Sequence, residues 1–462
     1  MATKQTNTTS VTDTGNLRVR KIPARFFFNT AFKEFSLYDN VRSIPFLSDG
    51  LKPSQRKALY GTQIRGENAG LLSVERLSAA VAASTDYHHG IGSMQSTIIG
   101  LANNYPGSNN LNLFVPEGQF GSRLTAEAAA ARYIETKLSS NFRAIFPKAD
   151  DAILVHNETD GEKIEPKTYL PLLPMSLVNG AQGTGTGHAC LIMAYNPKEI
   201  AEACLALVNK KKLKPGTMTP WYNGFSGTIV RNPETAQVVV TGKLTVVNST
   251  TIKVTELPVG MYLDQYKAHL NKMEDAELIK DYEDRSTEQA FDFTITVPRS
   301  TSVLPEEELY KKFKLISRDT ENLTLWGIDG VLNRFESVEA IVEAFVPWRL
   351  SQFEVRRQKL IGDSKESIRW MSEKLRFILF YLDHVNDFKG KKKEDLIAML
   401  LKNDFIDYER LLTMPMWNLT KDKIDELKAD ISDEKKVLAS LNEDTANEMY
   451  VRELKEFIKN VA

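Results

Sequence analysis

The sequence predicts an α+β protein built from several domains. Three patterns indicate this class: helix–turn–helix spacing between residues 74 and 103, strand-like runs between 215 and 340, and heptads of apolar residues after 361. A chain of 462 residues, of which 42% are hydrophobic, is too long for one compact domain and can build more than one core.

The first helical region predicts a helix–turn–helix motif. Residues 74–83 have the small and apolar spacing of a short helix, a turn covers 86–92, and a second helix covers 93–103. In such motifs the second helix usually enters the DNA major groove. His88 and His89 occupy the turn, and no cysteine or third histidine lies at the spacing that a zinc site needs. On their own, these histidines are more often structural.

The phrase Asp49-Gly50-Leu51-Lys52-Pro53 predicts a turn followed by the start of a helix. Asp-Gly marks turns, and proline fits the first helical turn. Lys52, Arg56 and Lys57 would gather at the helix N-terminus, where charge and free backbone N–H groups can hold phosphates. A solvated basic helix start is the plainer alternative.

A glycine-punctuated loop, residues 116–123, leads into an alanine-rich segment that ends at Arg132 and Tyr133. Tyrosine can act as a covalent nucleophile, although at neutral pH its phenol is mostly protonated because its pKa is about 10. The permanent charge of a neighbouring arginine can stabilise both a phenolate and a phosphate. The alternative is an ordinary Arg-Tyr pair on a surface helix.

A segment with four glycines, residues 177–187, invites a nucleotide-binding interpretation. It lacks the Lys-Ser/Thr ending of a P-loop and the strand–loop–helix context of a dinucleotide site. We therefore give phosphate binding by this segment little weight. Beyond it, runs at 227–230, 237–244, 251–257 and 291–297 predict strands with intervening helices.

Apolar residues recur at intervals of seven in the last part of the chain. The first series comprises Ile361, Ile368, Leu375 and Leu382, with Met371, Ile378 and Val385 at the companion position. The second series comprises Ile424, Leu427, Ile431, Leu438 and Leu441. With a small helical segment at 396–415 between them, these series predict a long antiparallel coiled coil with a small helical dimer gate. An ordinary helical bundle fits the same periodicity.

Composition limits the compartment and the partners. The net charge of −1 gives no overall sign of a nucleic-acid partner, so any basic surface must be local. Cys190 and Cys204 are the only cysteines, which fits a reducing compartment, and no apolar run reaches transmembrane length. We expect a cytoplasmic protein with no membrane partner, whose polar residues 1–16 form a disordered tail.

Four motifs follow one another in an order that resembles a known family. They are Tyr87-His88-His89-Gly90, residues 108–113 (Ser-Asn-Asn-Leu-Asn-Leu), Gln119-Phe120-Gly121 and Arg132-Tyr133. This order, with the Asp-Gly-Leu-Lys-Pro phrase upstream, resembles the breakage-reunion region of type IIA DNA topoisomerases. The resemblance covers most of the chain from Leu37 onward.

The resemblance implies roles for individual residues. Tyr133 would attack a DNA phosphodiester and form a phosphotyrosyl link, while Arg132, Arg42 and His89 would stabilise charge on the phosphate. Further DNA contacts are implied for Lys52, Arg56, Lys57, His88, Gln119, Arg123 and Thr184. Thr184 stands where the family has an isoleucine that wedges between base pairs, and threonine is a poorer apolar wedge.

The resemblance also divides the chain. It implies a winged-helix domain at 17–157 that carries Tyr133, an α+β tower domain at 158–340, and a coiled coil with a C-terminal dimerisation gate at 341–462. Because two strands must be cut, it implies a homodimer acting on double-stranded DNA.

No Walker-type motif, ATPase signature or acidic metal-binding motif is recognisable in the sequence. The resemblance therefore implies that a large partner subunit with ATPase and TOPRIM domains holds Mg²⁺ and ATP, within a heterotetramer. A breakage-reunion chain that lacks a DNA-wrapping domain resembles the phage, T-even-like medium subunit, which would act in the host cell cytoplasm. No metal ligand is expected in this chain.

Two other functions compete with this one. A non-enzymatic dimeric helix–turn–helix DNA-binding protein explains residues 74–103 and the heptads, but not the loop before Arg132 and Tyr133. A nuclease would need a carboxylate cluster that the sequence does not offer. Only the topoisomerase would leave protein covalently attached to DNA.

Overall fold

The computed structural model describes residues 11–14, 17–20, 22–66, 69–232 and 234–461. The chain divides into two compact units. The first comprises 1–148, 154–348 and 457–462, and the second comprises 149–153 and 349–456. Among the described helices, none is long and apolar enough to cross a membrane.

Short helices build the N-terminal part of the first unit. Its elements are β1 (Val11–Thr14), β2 (Leu17–Arg20), α1 (Ala24–Asn29), α2 (Ala31–Ser43), α3 (Pro53–Gln63), β3 (Leu72–Ser73), α4 (Val74–Ser84), α5 (Ile91–Ala102), β4 (Glu135–Thr136) and α6 (Ser140–Ile145). Helices α3, α4 and α5 pack on one another, and the side chains of Leu59, Leu77, Val81, Met94 and Ile98 are fully buried. The two predicted helices of the helix–turn–helix segment are confirmed as α4 and α5.

The predicted helix start after the Asp-Gly turn is also confirmed. Helix α3 begins at Pro53, and Gly50 has a φ of +67°. A Cβ at Gly50 would approach Ser176 N to 2.3 Å, so this turn needs glycine for both its conformation and its close contact.

The four-glycine segment forms a β-hairpin on α2. The next elements are β5 (His156–Thr159), β6 (Glu162–Pro166), α7 (Met175–Val178), β7 (Ala181–Gly185), β8 (His188–Ile192) and α8 (Pro197–Val208), after a 3-10 helix at Lys148–Ile153. Strands β7 and β8 are antiparallel, with Gly183 opposite Cys190. A Cβ at Gly183 would meet Ser43 O at 2.0 Å, and one at Gly185 would meet Asn40 Oδ1 at 2.2 Å. These glycines therefore allow the hairpin to lie directly on α2.

Two antiparallel sheets of three and four strands follow, with a two-stranded sheet after them. Their elements are β9 (Thr228–Arg231), β10 (Gln237–Thr241), β11 (Lys243–Asn248), β12 (Thr251–Glu256), α9 (Leu263–Asp275), β13 (Asp281–Asp284), β14 (Phe293–Thr296), α10 (Arg299–Ser302), α11 (Glu306–Lys312), β15 (Ile316–Thr320), β16 (Thr324–Trp326) and β17 (Leu332–Arg334). The three-stranded sheet has the order β15-β10-β9 and the four-stranded sheet has the order β11-β12-β14-β13. Helices α9 and α11 cover the second sheet, around buried Phe293, Leu270 and Phe313.

Helices make up the second unit. The last elements of the chain are α12 (Val338–Asp383), α13 (Val385–Phe388), α14 (Lys393–Lys402), α15 (Tyr408–Leu412), α16 (Lys421–Glu443) and α17 (Ala446–Val461), with a 3-10 helix at Met416–Asn418. Helices α12 and α16 run antiparallel, because Arg357 donates to Leu441 O while Ile378 packs with Ile424.

The heptad positions are buried unevenly. Ile361, Ile378, Ile424, Leu427 and Ile431 are buried, as the pattern predicts. Val385 lies beyond the end of α12 and is 44% exposed, so the repeat ends one position earlier than predicted.

The two compact units have other limits than the predicted domains, whose boundaries stay a prediction. The boundary predicted at 157/158 does not separate two packed bodies, because Tyr169 N donates to Asp49 Oδ2 at 3.0 Å and Asn110 Nδ2 donates to Tyr195 O at 3.0 Å. The predicted start of the last domain at 341 lies inside α12, whereas the second unit resumes at residue 349. Of the predicted tail, residues 1–10, 15 and 16 lie outside the described residues, and 11–14 form β1.

Candidate functional site

Tyr133 projects from a turn whose backbone is anchored on both sides. The turn at 131–133 replaces the surface helix of the alternative interpretation, and Tyr133 N donates to Ala130 O at 2.8 Å. The next residue, Ile134, is buried, while the Tyr133 side chain is 74% exposed. Backbone hydrogen bonds of 2.9 and 3.1 Å join Glu135 to Glu117. The phenol is thus presented to solvent on a fixed backbone.

The glycine loop before Tyr133 supports this turn. Gly118 and Gly121 have φ values of +99° and +108°, which glycine adopts without strain. A Cβ at Gly121 would come within 2.9 Å of Ala126 O, and one at Gly118 within 3.2 Å of Ile134 Cγ2. Substituted residues would displace the segment that carries Tyr133.

Arg132 lies next to the phenol. Its guanidinium carbon is 5.4 Å from the centroid of the Tyr133 ring, and both residues are exposed. At this distance the Arg132 guanidinium interacts favourably with the Tyr133 ring, and it would interact more strongly with a Tyr133 phenolate or with a phosphate.

A cationic groove lies between α2, α3, α5 and the β7–β8 hairpin. It has a volume of about 360 Å³ and is lined by Arg42, Ser43, Lys52, Ser54, Tyr87, Ser93, Thr97 and Thr184. No carboxylate lines the groove, and neither Arg42 nor Lys52 forms an ion pair with another described residue. Burial lowers the pKa of Lys52, against a smaller opposing effect of Cys190. Two unpaired cations among hydroxyl groups suit an anion such as a DNA phosphate.

His89 is held at this groove by two tyrosines. The Tyr38 hydroxyl lies 3.0 Å from His89 Nε2, and the Tyr87 ring packs edge-on against the imidazole at a centroid distance of 5.3 Å. Burial lowers the pKa of His89 most, and electrostatic interactions with Arg42, His88 and Lys57 lower it further. The ring therefore favours its neutral form, and a bound phosphate would oppose this shift.

Two of the predicted phosphate-binding residues in α3 have protein partners instead. Arg56 is buried and donates to both oxygens of Asp49 at 2.7 and 2.9 Å. Lys57 Nζ lies 2.9 Å from Glu165 Oε2 and also donates to Thr85 O. Buried carboxylates therefore neutralise both cations in this structure, and contact of Arg56 and Lys57 with the DNA backbone stays a prediction.

Arg123 is also structural. It is 7% exposed, forms an ion pair with Glu256, donates to Leu257 O at 2.7 Å, and lies 4.5 Å from the Phe291 ring centroid. Its guanidinium links the glycine loop to the end of β12, and contact of Arg123 with the DNA backbone stays a prediction.

The remaining predicted DNA contacts lie at the surface. His88 has its Nε2 3.1 Å from Asp86 Oδ2, and its side chain is 81% exposed. Gln119 is exposed and its Oε1 accepts from Gly121 N at 3.3 Å. Thr184 is exposed in β7 and lines the groove. Contact with DNA stays a prediction for these three residues.

No group of three or more His, Cys, Asp or Glu side chains within the described ranges is placed to hold a metal ion. Near Tyr133, Glu117 and Glu135 face each other across an isolated bridge, and both are exposed. Two facing carboxylates do not complete such a group, so the described residues do not fit a whole magnesium site.

The structure brings together only part of the predicted catalytic set. Arg42, Lys52 and Thr184 share the groove, and His89 lies beside it. No hydrogen bond or ring contact between described residues joins Tyr133 to Arg42 or His89. Sequence reasoning missed Tyr38, although its position four residues before Arg42 places both on one face of α2.

Comparison with known proteins identifies the family. A family model that describes the A subunit of DNA gyrase/topoisomerase IV matches residues 42–458. The chain belongs to this family. Its resemblance to type II topoisomerases is thereby confirmed at the level of the family, together with a mixed α+β architecture.

Sequence relatives agree with this assignment. The chain is 34% identical to DNA topoisomerase 2 of Penicillium chrysogenum, over 95% of this chain and 30% of the relative. It is 35% identical to DNA topoisomerase 2-alpha of Gallus gallus, over 94% of this chain and 30% of the relative. The chain thus spans about a third of the length of these relatives.

A solved structure supports the same fold. The topoisomerase II DNA-binding, cleavage and re-ligation domain of Plasmodium falciparum superposes with a TM-score of 0.86 and 34% identity. The match covers 94% of this chain and 64% of that chain. This likeness favours an enzyme over the non-enzymatic DNA-binding alternative.

Proposed function

We propose that this chain is the DNA breakage-reunion subunit of an ATP-dependent type IIA topoisomerase. It makes a transient double-strand break through a phosphotyrosyl link, and a second duplex passes through the break. The observation that carries this proposal is the exposed phenol of Tyr133 on an anchored turn, in a chain that belongs to this family.

In the proposed reaction, the Tyr133 oxygen attacks a backbone phosphorus. A phosphorus–oxygen bond to the sugar breaks, the phenol loses its proton, and the departing sugar oxygen gains one. By family resemblance the phosphate stays attached to the 5′ end. Because one ester replaces another, the reverse attack reseals the strand without a new energy source.

Arg132, Arg42 and His89 stabilise charge on the phosphate in this proposal. Arg132 contacts the nucleophile's ring, whereas Arg42 and Lys52 supply unpaired charge in the groove. The groove holds backbone phosphates beside the break, with His88, Gln119 and Thr184 as further contacts. Thr184 is exposed at the groove wall, although its hydroxyl makes it a poorer intercalating wedge than isoleucine.

A partner subunit completes the active centre. The chain offers no whole magnesium site among its described residues, so we assign Mg²⁺ to the TOPRIM domain of a large partner and ATP to its ATPase domain. Bound Mg²⁺ would stabilise the departing sugar oxygen. The match to the solved cleavage domain leaves about a third of that domain without a counterpart in this chain.

Exposed apolar side chains on α1 and α2, most of them aromatic, mark the surface for this partner. Phe26, Phe28, Phe35, Leu37 and Tyr38 are 51 to 59% exposed, and α1 has no buried residue at all. A six-residue helix without a buried face is marginal in water, and apolar patches of this kind usually mark interfaces.

We expect Phe28→Glu and Phe35→Glu together to abolish co-purification of the large subunit while leaving the fold intact. Both side chains are more than half exposed, so their loss removes little buried area from the chain itself. The matched control is Val303→Glu, at an apolar residue that is 79% exposed outside these helices. Undiminished co-purification in the double variant would contradict this assignment of the surface.

Two copies of the chain are proposed to cut the two strands. The winged-helix, tower and coiled-coil assignments of the sequence analysis belong to this proposal. Exposed Trp417 and Ile406, 77 and 74% exposed between α12 and α16, support a dimerisation gate in the second unit. Two copies of this chain and two of the partner would form a heterotetramer. The phage, T-even-like subtype, acting in the host cell cytoplasm, remains part of this proposal.

The function is tested by trapping protein on labelled DNA in a denaturing gel. We expect magnesium-dependent covalent adducts from the chain with its co-purifying subunit, and almost none from the chain alone. No adduct in either sample would favour the non-enzymatic alternative. Equal adduct in both would place the metal site in this chain, with Glu117 and Glu135 as the first residues to replace.

A further inference from the structure

The Tyr38 hydroxyl makes a specific contact with His89 that the family motifs do not indicate. Tyr38 Oη lies 3.0 Å from His89 Nε2, although the two residues are 51 positions apart. The Tyr38 and His89 ring centroids are 6.4 Å apart, and the Tyr87 ring packs edge-on against the imidazole at 5.3 Å. The imidazole is therefore held through both its Nε2 atom and its ring.

The same helix carries Tyr38 and the groove arginine. Tyr38 and Arg42 are one turn apart in α2, so both project from one helix face. Two hydrogen bonds fix this helix to the β7–β8 hairpin, since Asn40 Nδ2 donates to Thr186 O at 3.1 Å and Thr186 Oγ1 donates to Asp39 Oδ2 at 2.7 Å. Helix α2 thus sets the positions of Arg42 and His89 together.

The direction of this hydrogen bond decides the form of the imidazole. A neutral imidazole has one N–H donor and one acceptor nitrogen. When the phenol O–H donates to Nε2, the proton of the ring must be on Nδ1, which leaves Nδ1–H as the remaining donor. Electrostatic interactions with Arg42, His88 and Lys57 oppose a second proton on the ring, consistent with the lowered pKa of His89.

We propose that Tyr38 is a positioning residue, which holds His89 in the Nδ1–H tautomer so that this single donor serves the phosphate of the cleaved strand. The proposal rests on the function proposed above. Tyr38 does not touch the reacting atoms, and it acts only through His89. A tyrosine that merely packs on the histidine would not need its hydroxyl.

The test uses Tyr38→Phe, which keeps the ring and removes the hydroxyl. NMR spectra of the full chain, labelled with ¹⁵N in its six histidine rings, report the tautomer of each ring. The signal of His89 is the one that disappears in a His89→Gln variant. We expect the Nδ1–H tautomer in the wild-type chain near neutral pH and a mixture of tautomers in Tyr38→Phe. The control is Tyr282→Phe, which removes a hydroxyl on β13 that donates to Asn271 in α9 and should leave the His89 signal unchanged.

The second arm measures single-turnover DNA cleavage by the holoenzyme with its co-purifying subunit. Tyr38→Phe should lower the cleavage rate constant about tenfold, because the transition state loses the stabilisation of about one hydrogen bond. The Kd for DNA should stay unchanged. An unchanged tautomer, or a changed tautomer with an unchanged rate, would overturn the proposal. Absence of cleavage by the wild-type holoenzyme would instead refute the proposed function, since the spectra do not depend on activity.

Discussion

Tyr133→Phe is expected to abolish covalent trapping on DNA, with a loss of at least about a thousandfold in adduct formation. The phenol oxygen is the only atom removed, and it is the proposed nucleophile. The side chain is 74% exposed, so the variant should fold normally and bind DNA within a few-fold of the wild-type chain. The measurement compares adduct formation and DNA affinity in the same holoenzyme preparation.

Tyr282→Phe provides the matched control for this variant, because it removes a tyrosine hydroxyl outside the site. It should retain full adduct formation. Adducts from the purified Tyr133→Phe variant at even a modest level would mean that another residue attacks the phosphate.

Arg123→Ala is expected to destabilise the first unit by about 3 to 5 kcal/mol, because it leaves Glu256 buried without its cation. Arg123 and Glu256 have side-chain exposures of 8 and 6%, and Glu256 also accepts from Ser226 N at 3.0 Å. Urea unfolding of the chain, followed by fluorescence and circular dichroism, gives the change in midpoint.

The control for Arg123 is Lys253→Ala, which breaks the half-exposed ion pair with Asp292 and should cost less than about 1 kcal/mol. Unchanged stability of Arg123→Ala, combined with a loss of DNA affinity, would contradict the structural role and support the phosphate contact that the sequence predicts.

Three arginines show which features of the site can be predicted from the sequence and which cannot. Arg42, Arg56 and Arg123 all lie in motifs that suggest phosphate binding, yet of these three only Arg42 lies in the groove without a described carboxylate partner. The partner of Arg123 is 133 residues away in the chain, on the end of β12. Local sequence carries the charge of an arginine, but tertiary packing decides whether that charge faces solvent or a buried carboxylate.

Local signals predict the elements around the site well. Helices α4 and α5 and the start of α3 lie where apolar spacing and Pro53 place them, because these features act within one or two turns. The hairpin of β7 and β8 is less predictable. Its glycines serve a close contact with α2, about 140 residues earlier, rather than a phosphate.

The position of Tyr133 illustrates the same limit. The motif identifies the residue, and the glycines before it indicate an unusual backbone. The turn itself, however, depends on the bridge between Glu117 and Glu135 and on the burial of Ile134, which are contacts across the loop. Domain boundaries are harder still to predict, because segment 158–208 packs on elements that precede residue 111.

The most direct test of the account is to map the residue that becomes attached to DNA. Trypsin cuts after Arg132 and Lys137, so it releases residues 133–137 as one short peptide that contains a single tyrosine. The chain is first trapped on DNA in the presence of magnesium and the partner subunit, and the adduct is then digested with nuclease and trypsin. Mass spectrometry of the peptides should find the remaining nucleotide on Tyr133. A nucleotide on any other peptide, or no modified peptide from an active holoenzyme, would contradict the assignment of Tyr133 as the nucleophile.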